Sequence, residues 1–124
     1  MRDSIVVIAI FSLIIGGSIW IYKFYENTKS VFEDKLETLV ETIETEEKKE
    51  IRIKEIEDIW KEKESVLIIF QEHDSVDEIE DKLYECFHYY RINEADHLEL
   101  SKEGMLKRLD DFIKGENLSI VNIF

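Results

Sequence analysis

Residues Ser4 to Tyr22 read SIVVIAIFSLIIGGSIWIY, with no charge between Asp3 and Lys23. As a helix, at 1.5 Å per residue, this run is roughly 27–29 Å long, close to the thickness of a bilayer core. A buried helix of that length in a soluble protein normally keeps a polar stripe, and this one has none. The reading is a short leader over residues 1–4, a transmembrane signal anchor over 5–22, and an acidic domain over 23–124. Trp20 and Tyr22, followed by Phe24 and Tyr25, have the composition of an aromatic belt at the far interface. A cleaved signal peptide is the competing reading, with Gly16 and Ser18 at the small-residue positions before a cut at Ile19. The apolar run continues through Ile19, Trp20 and Ile21, which favours an anchor that stays on the chain.

The rest of the chain is built for long helices. The whole chain of 124 residues has no proline, four glycines and 36% charged residues. The formal net charge is −13, almost all of it carried after residue 22. That balance argues against nucleic acid, which demands clustered Lys and Arg, and against lying flat on anionic headgroups. The one cysteine, Cys86, excludes an intrachain disulfide.

Four apolar stripes at helical spacing follow the anchor. The first holds Phe24, Val31, Phe32, Leu36, Leu39, Val40 and Ile43, and can continue straight out of the apolar run. The second holds Ile53, Ile56, Ile59, Trp60, Leu67 and Phe70, with a polar turn at Lys61 to Glu64 expected to be solvated. The third is the most regular: Val76, Ile79, Leu83, Cys86 or Phe87, then Tyr90. The fourth runs through Leu98, Met105, Leu106, Leu109, Phe112 and Ile113 to Gly115, a residue suited to ending a helix. A shift of 47 residues aligns the first pair of stripes with the second (Leu36 with Leu83, Ile59 with Leu106), as two αα-hairpins would. The expected fold is all-α: an N-terminal transmembrane helix, then an antiparallel bundle of about four helices. The uncharged end LSIVNIF, Leu118 to Phe124, is expected to fold back onto that bundle.

The densest cluster of chemistry-bearing residues is EHDSVDE, Glu72 to Glu78. His73, Asp74 and Asp77 are the metal candidates, since a hard cation needs several carboxylate oxygens and zinc accepts His with carboxylates. The spacing matches no established metal motif. The plainer reading is a corner. Ser75 and Glu78 fit a capping box that starts a helix at Val76, Asp77 and Glu78 sit where the dipole favours them, and His73 closes the helix before. Cys86 and His88 lie about 200° apart around a helix and cannot pair as nucleophile and base. With no phosphate loop, nucleophile elbow or CxxC, neither catalysis nor a cofactor is expected. Ser12 and Gly16 form a small-xxx-small pair that can support helix pairing in a membrane. Tyr84 and His88 share a face away from the main stripe and are candidates for partner contact.

Taken in order, these elements resemble the family known as domain of unknown function 4363. The elements are the leader and apolar anchor, a Glu/Lys-rich hairpin holding Trp60, the Glu72-His73 pair opening the second hairpin, and the closing Asn122 to Phe124. The resemblance covers essentially the whole chain; the aromatic-rich stretch from Cys86 to Tyr90 and the weak apolar pattern around Asp96 to Lys102 depart from it. It implies a single-pass bacterial membrane protein, an extracytoplasmic helical domain with no assigned activity, and a multi-pass membrane protein as companion. The charge count alone, Arg2 and the amine against Lys23, Lys29 and Lys35, leans toward a cytoplasmic domain. Two expectations follow. One is a non-enzymatic accessory protein that engages the bilayer and another membrane protein or a second copy of itself. The other is an extracytoplasmic sensor that binds a cation or small ligand at the Glu72–Glu78 corner.

Overall fold

A computed structural model describes residues 2–41 and 45–123, with side chains described through Lys114. The chain forms four helices: α1 (Arg2–Glu41), α2 (Glu46–Phe70), α3 (His73–Arg91) and α4 (Ala95–Ile123). No strand occurs among the described residues.

The apolar run and the first stripe belong to one helix. α1 has 40 residues and is about 60 Å long. Without proline, nothing in this segment costs the helix its hydrogen-bond ladder, and Ser18 and Thr28 return their hydroxyls to the carbonyls of Ile14 and Phe24 at 2.7 and 2.8 Å. The half of α1 before Ile21 holds no buried residue, and meets the described bundle only near its end, where Ser18 is half-buried and Trp20 lies beside Phe70. The half from Tyr25 onward packs Tyr25, Thr28, Phe32, Leu36 and Leu39 into the core. The bundle is therefore mounted on the apolar helix without a joint.

The four helices run up, down, up and down. α4 packs most extensively, against α3 and α1, while α2 closes the remaining side with fewer contacts. Cross-links between α1 and α4 fix their antiparallel register: Lys29 meets Asp110 at 3.2 Å, Lys102 meets Glu37 at 3.9 Å, and the Tyr25 and Phe112 rings lie 6.1 Å apart. The core takes its residues from every stripe, with Ile53, Ile56, Trp60 and Leu67 from α2 and Val76, Ile79, Leu83, Cys86, Phe87 and Tyr90 from α3. Leu98, Met105, Leu109 and Ile113 complete it from α4. This is three- and four-residue periodicity converted into one buried seam per helix.

The turn between α3 and α4 shows why the chain breaks at Asn93. Its φ of 60° is left-handed, a conformation asparagine tolerates better than most residues. The Asn93 N–H donates to the Tyr90 carbonyl at 3.3 Å and the Glu94 N–H to the Tyr89 carbonyl at 3.0 Å. That pair of bonds is a Schellman closure, and it satisfies carbonyls the helix end would otherwise leave bare.

Three expectations about helix ends are corrected. α2 ends at Phe70 and α3 begins at His73, with Glu72 as its N-cap residue, so His73 opens the second helix and does not close the first. Ser75 and Glu78 consequently lie inside α3 and do not cap it. The reason is that Gln71 and Glu72 are both extended, with ψ of 160° and 143°, and reverse the chain by themselves. The Val76 N–H then donates to the Glu72 carbonyl at 3.2 Å, starting the helix earlier than a Ser75 cap would. Gly115 likewise does not stop α4, which continues to Ile123. The expected packing of the Leu118 to Phe124 side chains lies outside the described residues. The Lys61–Glu64 turn is only partly solvated: Lys63 and Glu64 are half-buried, with the Lys63 ammonium 5.3 Å from the centre of the Phe24 ring.

Candidate functional site

The apolar first half of α1 is an extensive exposed surface. Among the described residues, one helix is long and apolar enough to cross a membrane, and it is this one. Its best 18-residue window has a mean hydropathy of 2.5 and no buried residue. Its Ile, Val, Leu and Phe side chains from Ile5 to Ile15 are all exposed. Apolar surface of this extent on a small protein requires a lipid or protein covering. Ser12 and Gly16 both lie on this free half. A Cβ added at Gly16 would meet nothing within 4 Å among the described residues, so their packing does not demand the glycine.

The Glu72–Glu78 corner sits beside the point where α1 enters the bundle. Gln71 donates from Nε2 to the Tyr25 hydroxyl at 2.8 Å, which pins the turn to α1. Glu72, His73, Asp74, Asp77 and Glu78 are all exposed. They do not converge. Glu78 is turned toward α4, where it meets the Arg108 guanidinium at 2.5 Å. No group of three or more His, Cys, Asp or Glu side chains among the described residues is placed to hold a metal ion. An acidic cluster in sequence becomes separated on helix surfaces because neighbouring positions point about 100° apart.

A carboxylate pair that sequence reading missed lies between α2 and α3. Glu80 accepts the Trp60 indole N–H at 3.2 Å, and Glu64 lies close by. Burial raises the Glu64 carboxyl above its ordinary range, and the neighbouring Glu80 and Asp77 add to the shift. Nothing in the sequence brings residues 64 and 80 together until α2 and α3 pair.

At the opposite end of the bundle, a pocket of about 470 Å³ opens between the end of α1, the start of α2 and the α3–α4 turn. Leu39, Tyr90 and Leu98 give it apolar walls, and Glu41, Glu46 and Glu94 rim it. Its one buried cation is Lys49, whose ammonium donates to the Asn93 amide oxygen and lies 5.5 Å from the centre of the Tyr90 ring. Lys49 is thus already engaged within the fold, holding the start of α2 to the end of α3. Sequence periodicity gave no sign of its burial, because a lysine on an otherwise charged turn reads as solvated.

Cys86 is fully buried, and burial pushes its thiol up to about 12. At neutral pH it stays protonated, which suits a small core side chain and not a nucleophile. Tyr84 and His88 are both exposed on α3. The Tyr84 ring meets Phe87 edge-on at 5.8 Å, and the His88 ring meets Tyr89 at 5.3 Å. Tyr89 in turn stacks on His97 at 5.0 Å, giving this face a short row of surface rings.

The fold and its surface define a four-helix bundle carried on an apolar N-terminal helix. No family model, curated protein or solved structure matches this chain.

Proposed function

We propose that the chain is a single-pass membrane protein whose helical domain serves as a non-enzymatic interaction module, engaging another membrane protein or a second copy of itself. The observation that carries this reading is the unbroken α1. A helix that is apolar with no buried residue over one half, and core-forming over the other, would couple a membrane segment rigidly to a folded domain. A rigid coupling lets contact within the bilayer orient the bundle outside it. The exposed Ser12 and Gly16 would provide close approach in the membrane, and the Tyr84–His88 face a contact above it. If the resemblance to domain of unknown function 4363 holds, the bundle is extracytoplasmic and the companion a multi-pass membrane protein.

The test uses the full chain in its own membrane. Alkaline extraction should leave it in the bilayer fraction, and a reporter fused after Phe124 should be active only outside the cytoplasm. A photocrosslinking side chain at Ser12 should give a discrete adduct, either with a membrane protein or with a second copy, that Gly16→Leu abolishes. Release by alkali would refute the anchor. A retained protein that forms no adduct from either Ser12 or Tyr84 would refute the interaction module.

A further inference from the structure

The free half of α1 is not the only apolar surface at that end of the molecule. α2 descends toward it and finishes Ile68-Ile69-Phe70, which are 38%, 71% and 40% exposed. The rest of α2 buries or half-buries its large apolar residues, with one isolated exception, Ile51, near the other end of the helix. Three consecutive exposed apolar side chains at a helix end are therefore a local departure from an otherwise ordinary amphipathic pattern.

Their position supplies the reason. The Phe70 ring lies 6.1 Å from the Trp20 ring, and Trp20 stacks on Phe24 at 5.7 Å. Trp20 is itself 53% exposed and belongs to the last turns of the uncharged run of α1. The α2 tip is thus level with the place where the span emerges, and its apolar surface is continuous with that of the span. α4 runs toward the same end, past the contact between Phe112 and Tyr25, and its sequence carries no charged side chain after Glu116. The connection beyond the tip is the polar Gln71-Glu72, and α3 then opens with His73-Asp74. Tryptophan and aliphatic side chains beside charged ones match the composition of the headgroup boundary, where an amphipathic edge is stable.

We infer that the α2 tip, Ile68 to Phe70, is a second membrane contact: it seats the bundle directly on the headgroup boundary of the bilayer that α1 crosses. This rests on the membrane reading of α1. The bundle then stands against the lipid surface and not on a stalk above it. The depth of entry is limited by Glu72 and Asp74, which remain among the headgroups.

Spin-label accessibility on the full chain in phosphatidylcholine vesicles tests this. Labels are placed singly at Ile69→Cys, at Ile51→Cys and at Ile8→Cys. Cys86 is left in place, because it is buried and protonated and does not compete for the label. Ile51 is exposed on the same helix about 27 Å away, and Ile8 lies in the span. Collisions with oxygen, which concentrates in lipid, are compared with those of a water-soluble nickel chelate. The expected ratio of oxygen to nickel collisions is highest at 8, lowest at 51, and at 69 several-fold above 51. A ratio at 69 equal to that at 51, with 8 in lipid, overturns the tip contact and leaves the anchor standing. Low collision with both reagents at 69 also overturns it, since protein and not lipid then covers the tip. An aqueous ratio at 8 overturns the anchor and the tip contact together.

Discussion

The residue on which α2 most depends is Trp60, and its removal tests the packing directly. α2 has fewer contacts with its neighbours than α4 has, yet Trp60 reaches two of them. Its side chain is completely buried, its ring meets Phe32 of α1 edge-on at 5.8 Å, and its N–H donates to Glu80 of α3 at 3.2 Å. A buried tryptophan removes roughly 200 Å² from water, worth about 5 kcal/mol at about 25 cal/mol per Å². The alanine that remains, and the partial compactness of the unfolded chain, bring the expected cost of Trp60→Ala to about 3–5 kcal/mol. Trp60→Phe keeps most of the ring and loses the N–H bond, and should cost about 1–2 kcal/mol. Urea unfolding of the full chain in detergent micelles, followed by far-ultraviolet circular dichroism, measures both. A loss below about 1 kcal/mol for Trp60→Ala, with the urea slope unchanged, would refute the docking of α2 through this residue.

Three further perturbations have definite expected outcomes. Cys86, with its thiol raised to about 12, should resist iodoacetamide at pH 8 in the folded chain and react at the ordinary thiol rate in denaturant; fast labelling of the native protein would contradict its burial. Gly115→Ala should stabilise the chain by about 0.5–1 kcal/mol, because α4 continues through this position; a loss of helicity would mean that the helix ends there after all. Glu64→Gln should raise the melting midpoint at pH 7, with the difference from the parent chain vanishing near about pH 4. The folded Glu64 carboxyl is raised, so the native state takes up its proton first and gains stability as the pH falls toward the ordinary carboxylate range. Glu50 and Asp110, held low by Arg91 and by Lys114 with Lys29, have the opposite dependence and lose their contribution as the pH falls through their lowered values. An unchanged midpoint for Glu64→Gln at pH 7 would refute the raised carboxyl.

Helical periodicity and the uncharged run made the all-α fold, the four seams and the apolar span legible in the sequence. These are properties of spacing along one helix: Val76, Ile79, Leu83 and Phe87 fall on one side whatever they eventually meet. Helix boundaries were less legible. Ser75 and Glu78 have the composition of a cap, but local cues compete, and the chain turned earlier because two extended residues and a bond from Gln71 to Tyr25 sufficed. Gly115 has the composition of a stop, yet a glycine needs a left-handed conformation to act as one, and α4 continues through it.

The tertiary structure alone decided what meets what. It buried Lys49 against Tyr90 and Asn93, brought Glu64 beside Glu80, and drew Glu78 across to Arg108, away from His73. It also placed the α2 tip level with Trp20. None of these pairs is near in sequence, so no local pattern encodes them; they exist only once antiparallel packing sets the relative height of the helices. The sequence by itself determined that the chain carries one apolar run long enough to cross a membrane and four amphipathic stripes. The packing determined that the apolar run and the first of those stripes are one continuous helix, and that the α2 tip lies beside the point where they join.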